Sequence, residues 1–350
     1  MTEQYKINLK GLSKIQLDDF IRSRQWESYR ARQIFHWLYQ KNVASFAEMT
    51  TLKKSIRDNL AATAEINCLR LVKMVVSQQD TAHKFLFVTS DGQWIESVYM
   101  EDANRRTICV SSQVGCVLHC DFCATGRMGF KRNLTAGEIV DQVLWIERSV
   151  GKEATNVVVM GMGEPFLNYD AVIQAAGLIA DPEGIAIGKR KITISTSGIV
   201  PGIKRFSAER QRFKLAVSLN ATTDRVRQRI MPINQKYPLA ELLAAVKEYT
   251  EHSPYRVTFE YILMAGINDS LADAQRLRKL LQAISCKINL IPYNATDLPY
   301  RAPTEEQVQR FQAALATFSA LVTVRKSQGW DIQAACGQLY AEMAQQCQPV

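Results

Sequence analysis

The sequence predicts an α/β protein, a partial TIM-like (β/α)6 barrel carrying a small N-terminal helical domain and a short β-hairpin extension. Three observations carry this expectation. Residues 1–70 hold apolar side chains at helical spacing, residues 71–105 alternate at the two-residue period of strands, and residues 106–350 alternate short apolar runs with amphipathic helices. The stretches are read as a basic helical accessory domain, a β-hairpin linker element, and the barrel with a C-terminal loop.

The helices of the first stretch are Ile15 to Arg22, Tyr29 to Tyr39 and Thr51 to Ala61. Next, Lys84 to Thr89 and Gln93 to Met100 flank Ser90-Asp91-Gly92, a hairpin signal, and alternation puts Glu96 on one face with Trp94 and Val98. The barrel strands are Thr107 to Ser112, Asn156 to Met160, Lys191 to Ser195, Lys214 to Leu219, Val257 to Leu263, Lys287 to Pro292 and Leu321 to Arg325. Thr135 with Glu138 and Thr304 with Gln307 fit capping boxes, and Pro238 suits a first helical position. In such a barrel the chemistry sits at the C-terminal ends of the strands.

With 350 residues, 47% of them hydrophobic, the chain is long enough for one large core. Nothing approaches the roughly 18 unbroken apolar residues of a membrane span, and polar Met1 to Lys10 has no apolar leader segment, so a soluble cytoplasmic protein without a membrane partner is expected. Eight cysteines are too sparse for a disulfide scaffold, and three of them crowd together, which suits metal ligation or catalysis in a reducing compartment. The net charge of +9, with 11 Lys/Arg against 6 Asp/Glu in residues 1–60, points to a polyanionic partner, although a basic surface also serves solubility.

Cys116-Val-Leu-His-Cys120-Asp-Phe-Cys123 follows the first barrel strand. Thiolates at this spacing can hold three corners of a 4Fe-4S cluster and leave one iron open, where the amino and carboxylate groups of S-adenosylmethionine can bind. A closed zinc site needs a fourth Cys or His at a second paired spacing; none follows, and His119 is too close to Cys120 to complete a tetrahedron. Met160-Gly-Met-Gly163-Glu164-Pro165 lies just past the next strand, with glycines that admit a ligand and a carboxylate that can accept an ammonium group. Later strand ends carry Ser195-Thr-Ser-Gly198, Ser218-Leu219-Asn220 and Asn294, polar groups that suit a nucleoside or serve as helix caps. Cys109 and Cys336 stand apart from this cluster, and Cys68, Cys286 and Cys347 read as small core residues.

These residues resemble the radical SAM RNA methyltransferases that modify adenosine carbons, the RlmN/Cfr family. The resemblance runs nearly end to end, through Cys109-Val-Ser-Ser-Gln-Val-Gly-Cys116, Gly129-Phe-Lys-Arg-Asn-Leu134, Met160-Gly-Met-Gly-Glu-Pro165, Met231-Pro-Ile-Asn234, Ile288-Asn-Leu-Ile-Pro292 and Ala335-Cys-Gly-Gln-Leu339. It implies a 4Fe-4S cluster on Cys116, Cys120 and Cys123, and S-adenosylmethionine used twice per turnover and bound by Gly163, Glu164, Ser195, Ser218, Leu219, Asn220 and Asn294. Asn220 departs from the His of many members. Cys336 corresponds to the cysteine that is methylated and then carries the methyl group to adenine, Cys109 to its partner in a transient disulfide, and Glu96 to the proton acceptor. The implied substrates are 23S rRNA at the peptidyl transferase centre and tRNA beside the anticodon, with the basic N-terminal module gripping RNA, an external electron donor and a monomeric enzyme. Pro165 and Asn168 resemble the group that methylates adenine C2, against the C8-methylating alternative. An RNA-binding protein with a structural metal and no turnover is the alternative from another class.

Overall fold

The computed structural model describes residues 6–316 and 320–340; Cys347 lies outside them. Ten strands form one sheet whose spatial order is the order of the sequence: β1 (Leu69–Val76), β2 (His83–Thr89), β3 (Trp94–Asp102), β4 (Arg105–Val110), β5 (Asn156–Val159), β6 (Ile192–Thr196), β7 (Lys214–Ser218), β8 (Val257–Leu263), β9 (Cys286–Pro292) and β10 (Leu321–Val324). From β4 onward every pairing is parallel, and β1 to β4 pair antiparallel. Parallel strands need crossover helices, and strands covered on both faces read as continuous apolar runs. That is why all seven barrel strands lie within two residues of their expected bounds.

Three helices, α1 (Lys14–Arg22), α2 (Tyr29–Tyr39) and α3 (Lys54–Thr63), make the N-terminal module. The short α4 (Ala124–Arg127) follows the cysteines, and α5 (Ala136–Val150), α6 (Tyr169–Ala180), α7 (Val200–Ala208), α8 (Asp224–Ile230), α9 (Leu239–His252), α10 (Leu271–Leu281) and α11 (Glu305–Ala314) complete the crossovers. Both capping boxes form as expected, at Thr135 and Thr304. Pro238 is the N-cap of α9 rather than its first helical residue.

The element between module and barrel has three strands where two were expected. β1 crosses the expected boundary at residue 70, and a register shift between Leu71 and Lys73 breaks its alternation, which hides it from a two-residue period. All three strands continue the main sheet through β3 and β4, so Glu96 shares a framework with the barrel.

The module is fixed to α5 by a buried ion pair, Lys10 Nζ to Asp141 Oδ1 at 2.6 Å, with each side chain only 1% exposed. The other oxygen of Asp141 accepts the Cys68 and Leu69 N–H groups, each at 2.9 Å. Other cations of this module are also paired: Lys14 with Asp181 and Glu183, Arg22 with Asp18, and Arg32 with Glu183.

Candidate active site

The cysteine loop is held at its base by a short antiparallel pair, Gln113–Gly115 with Phe130–Asn133, and by the Cys116 N–H donating to the Gly129 carbonyl at 3.1 Å. Gly115, at φ +71°, allows this closure, because a Cβ there would lie 1.7 Å from the Gly129 oxygen. Cys123 is the N-cap of α4. Cys116, Cys120 and Cys123 line one cavity of about 870 Å³ together with Gly163, Glu164, Ser195 and Ser218.

Burial raises all three thiols, Cys116 to about 12. His119 turns its Nδ1 to the Gly126 carbonyl at 3.1 Å, within its own loop, and is not a fourth ligand. Among the described residues no three His, Cys, Asp or Glu side chains are grouped tightly enough to chelate a single ion. Three soft donors spread along a cavity wall, with no fourth protein ligand, fit an iron-sulfur cluster with an open corner.

Glu164 is 1% exposed and anchored on three sides. Its Oε1 accepts the Phe166 N–H at 3.0 Å, its Oε2 accepts the Ser197 N–H at 2.7 Å, and its own N–H donates to Gln113 Oε1 at 2.8 Å. Burial raises this carboxyl, and the backbone donors oppose that shift. Gly163, at φ +102°, lets the turn press on Gln113, whose Cβ would lie 2.5 Å from an added Cβ.

The remaining candidates divide. Leu219 is buried in the core, and Asn220, at φ +55°, accepts the Ile262 N–H at 2.9 Å; neither lines the cavity. Asn294 donates to the Cys336 carbonyl at 3.1 Å and so supports the C-terminal loop. Asn168 donates to the Ser112 and Leu134 carbonyls, a role in shaping the loop.

Cys109 and Cys336 line a second cavity, of about 590 Å³, while Cys123, Met160, Arg325 and Cys336 border both cavities. Both thiols are free, and burial pushes Cys109 up to about 12. The Cys336 loop is tied to the cluster loop by the Ala124 N–H to the Gly337 carbonyl at 2.8 Å and by the Thr125 hydroxyl to the Leu339 carbonyl at 2.6 Å.

Glu96 is fully buried, with Oε1 3.2 Å from Lys84 Nζ and Oε2 accepting the Tyr340 N–H at 2.9 Å. It borders neither cavity and instead fixes the end of the Cys336 loop. Burial raises its carboxyl, while Lys84 and the Tyr340 N–H oppose the rise.

Two residues of the site escaped the sequence reading. Arg325 closes β10 with Nη1 3.7 Å from Cys336 Sγ and Nη2 3.6 Å from Met100 Sδ. Arg227 is fully buried and donates to the carbonyls of Leu219, Ser197 and Ser218, stitching strand-end loops together. For Arg325 the available signal was a charge directly after the apolar run Leu321–Val324; Arg227, among the charged residues of Asp224–Ile230, carried none.

A barrel with three cysteines after its first strand and a glycine turn after its second defines the radical SAM class. The Radical SAM superfamily model matches residues 110–277, and the model described as the ribosomal RNA large subunit methyltransferase N-terminal domain matches residues 7–66. A crystal structure of a radical SAM methyltransferase from Sphaerobacter thermophilus superposes with a TM-score of 0.93 at 45% identity, covering 96% of this chain and 100% of that one.

The dual-specificity RNA methyltransferase RlmN of Geobacter sulfurreducens is 46% identical over 338 residues, 96% of this chain and 93% of the relative. That of Pelobacter propionicus is 44% identical over 350 residues, 100% of this chain and 99% of the relative. The chain belongs to the RlmN family of radical SAM methyltransferases, enzymes that use a 4Fe-4S cluster and S-adenosylmethionine.

Proposed function

We propose that this enzyme methylates C2 of adenosine in 23S rRNA and in tRNA next to the anticodon, acting as a cytoplasmic monomer supplied with electrons by an external donor. One observation carries the reading: Cys336 borders both the cavity of the three cysteines and the cavity it shares with Cys109. A methyl carrier needs that placement, facing the cofactor on one side and a second thiol on the other.

Cys116, Cys120 and Cys123 would hold the cluster, and Gly163, Glu164, Ser195 and Ser218 the S-adenosylmethionine. When bound, these groups supply a methyl group and a 5′-deoxyadenosyl radical. Adenine C2, between two ring nitrogens, is electron-poor, so carbon delivered from Cys336 as a radical suits it where a methyl cation does not.

The Cys336 sulfur presents the methyl group in the second cavity. Once its carbon is bonded to adenine, the adduct gives one electron to the external redox partner and loses the C2 proton. The Cys109 thiolate then attacks the Cys336 sulfur, and the S–C bond breaks with its electron pair going to the carbon, which takes up a proton to become the methyl group. A transient Cys109–Cys336 disulfide closes in this step. Glu96 serves as proton acceptor, as family correspondence implies, from its place beneath the loop. The target base must leave its stack to enter this cavity. Lys41, Lys53 and Lys54, exposed on the N-terminal module, grip the RNA backbone.

Nucleoside mass spectrometry of 23S rRNA and tRNA treated with the reconstituted enzyme tests the reading. The expected product is 2-methyladenosine. 8-Methyladenosine as the sole product replaces C2 by C8, and unmodified RNA with no 5′-deoxyadenosine formed favours a binding protein without turnover.

A further inference from the structure

The inward faces of the barrel strands run on below the active site. Cys109, Ser218, Glu260 and Ile291 line the cavities, and side chains four residues apart on a strand share a face. Four residues earlier stand Arg105, Lys214 and Lys287, on the inward faces of their strands, and Arg256, immediately before β8 begins, about 13 Å lower at 3.3 Å per residue. Lys214 is pushed down first by burial, then by the positive fields of Lys287, Arg105 and Arg190, so each of these three lies within electrostatic reach of Lys214.

Arg190 belongs to the turn Lys189–Lys191, which with Arg212 extends the positive charge outward over exposed surface. Among the described residues none of these cations forms an ion pair. Asp102, opposite Arg105 in the sheet, makes none with it, and Glu101 is held by Lys152 at 2.8 Å. In the N-terminal module Lys10, Lys14, Arg22 and Arg32 are held in ion pairs, which leaves exposed Lys41, Lys53 and Lys54 for the grip proposed above. Unneutralised charge also collects at the barrel's N-terminal end, opposite the cysteines.

We propose that this end of the barrel is a second binding surface for RNA phosphates, resting on the reading of the protein as an RNA methyltransferase. The charge is spread from the strand starts across an adjoining turn, which matches a phosphate backbone better than one small anion. Besides its contact with the N-terminal module, a folded RNA would meet both ends of the barrel, with its target base at one and a distant stretch of backbone at the other.

The test measures the affinity of the holoenzyme for a tRNA transcript and for a 23S rRNA fragment across a salt series. The variants are Arg256→Glu/Lys287→Glu and, should reversal lower the melting temperature, Arg256→Gln/Lys287→Gln. Lys247→Glu/Lys279→Glu, on the outer faces of α9 and α10, matches the change in net charge. The reversal variant should bind at least one of the two RNAs about tenfold more weakly near 0.1 M salt, with the slope of log K against log salt lower by about 2. The charge-matched control should leave both quantities unchanged.

Equal affinity and slope in wild type and variant for both RNAs overturn the inference, as does equal weakening by the control. So does displacement of RNA by inorganic phosphate at low millimolar concentration, the mark of a small-anion site. Wild-type enzyme that binds neither RNA would instead remove the RNA methyltransferase reading beneath it.

Discussion

The hydroxyl of Thr125, two residues past Cys123, donates to the carbonyl of Leu339, three residues past Cys336, at 2.6 Å. Thr125 is 4% exposed, and its hydroxyl also faces the Cys123 thiol. One buried side chain thus joins the loop of Cys116, Cys120 and Cys123 to the loop of Cys336.

Thr125→Val should loosen the Cys336 loop while leaving the cluster in place. Loss of a hydrogen bond of about 1 kcal/mol should raise the rate of Cys336 alkylation about fivefold, and Thr125→Ser should restore it. Peptide mass spectrometry reads the alkylation and iron analysis the cluster; an unchanged rate would show that this contact does not hold the loop.

Gly115→Ala should cost the enzyme its cluster. The added Cβ would lie 1.7 Å from the Gly129 oxygen in a backbone at φ +71°, so the base of the cysteine loop must open. Iron per chain should fall sharply while the circular dichroism of the barrel persists; full iron occupancy would show that the loop closes another way.

Much of this was legible because it is local. Cysteine spacing, the Gly163-Glu164 turn and seven apolar strands declare themselves within a few residues, and fully covered parallel strands have little else to be. The illegible parts depend on distance in the fold. Nothing near Lys10 announces Asp141, 131 residues away, nor does Arg325 reveal that it will face Cys336 across both cavities. Leu219, Asn220 and Asn294 stand at strand ends as the sequence places them, but nothing local announces that their side chains meet the core, the β8 backbone and the Cys336 loop.

Asp141→Ala should be strongly destabilising, because it leaves Lys10 charged and buried and removes the acceptor for two backbone N–H groups. Breaking such a pair costs about 3–5 kcal/mol. Urea denaturation should show the loss as a lower midpoint; a midpoint within error of wild type would mean that the module does not depend on this anchor.

Glu147 gives a pH dependence of stated sign. Burial, helped by nearby Glu153, raises its carboxyl to about 7 from 4.5, although the Ala154 N–H donates to it at 2.8 Å. The folded state therefore holds this proton where the unfolded chain has released it, so its contribution is fully present below pH 4.5 and lost as pH rises through about 7. Glu147→Gln should match wild type at pH 4 and exceed it at pH 8 by on the order of 2–3 kcal/mol. Parallel stability curves across this range would contradict the assignment.

Replacement of Cys336 by Ala tests the central claim, that this sulfur carries the methyl group. The variant should assemble its cluster with wild-type iron content and yield no 2-methyladenosine in 23S rRNA or tRNA, while peptide mass spectrometry of the wild type finds methyl on Cys336. Normal 2-methyladenosine from the Cys336→Ala enzyme would contradict the account.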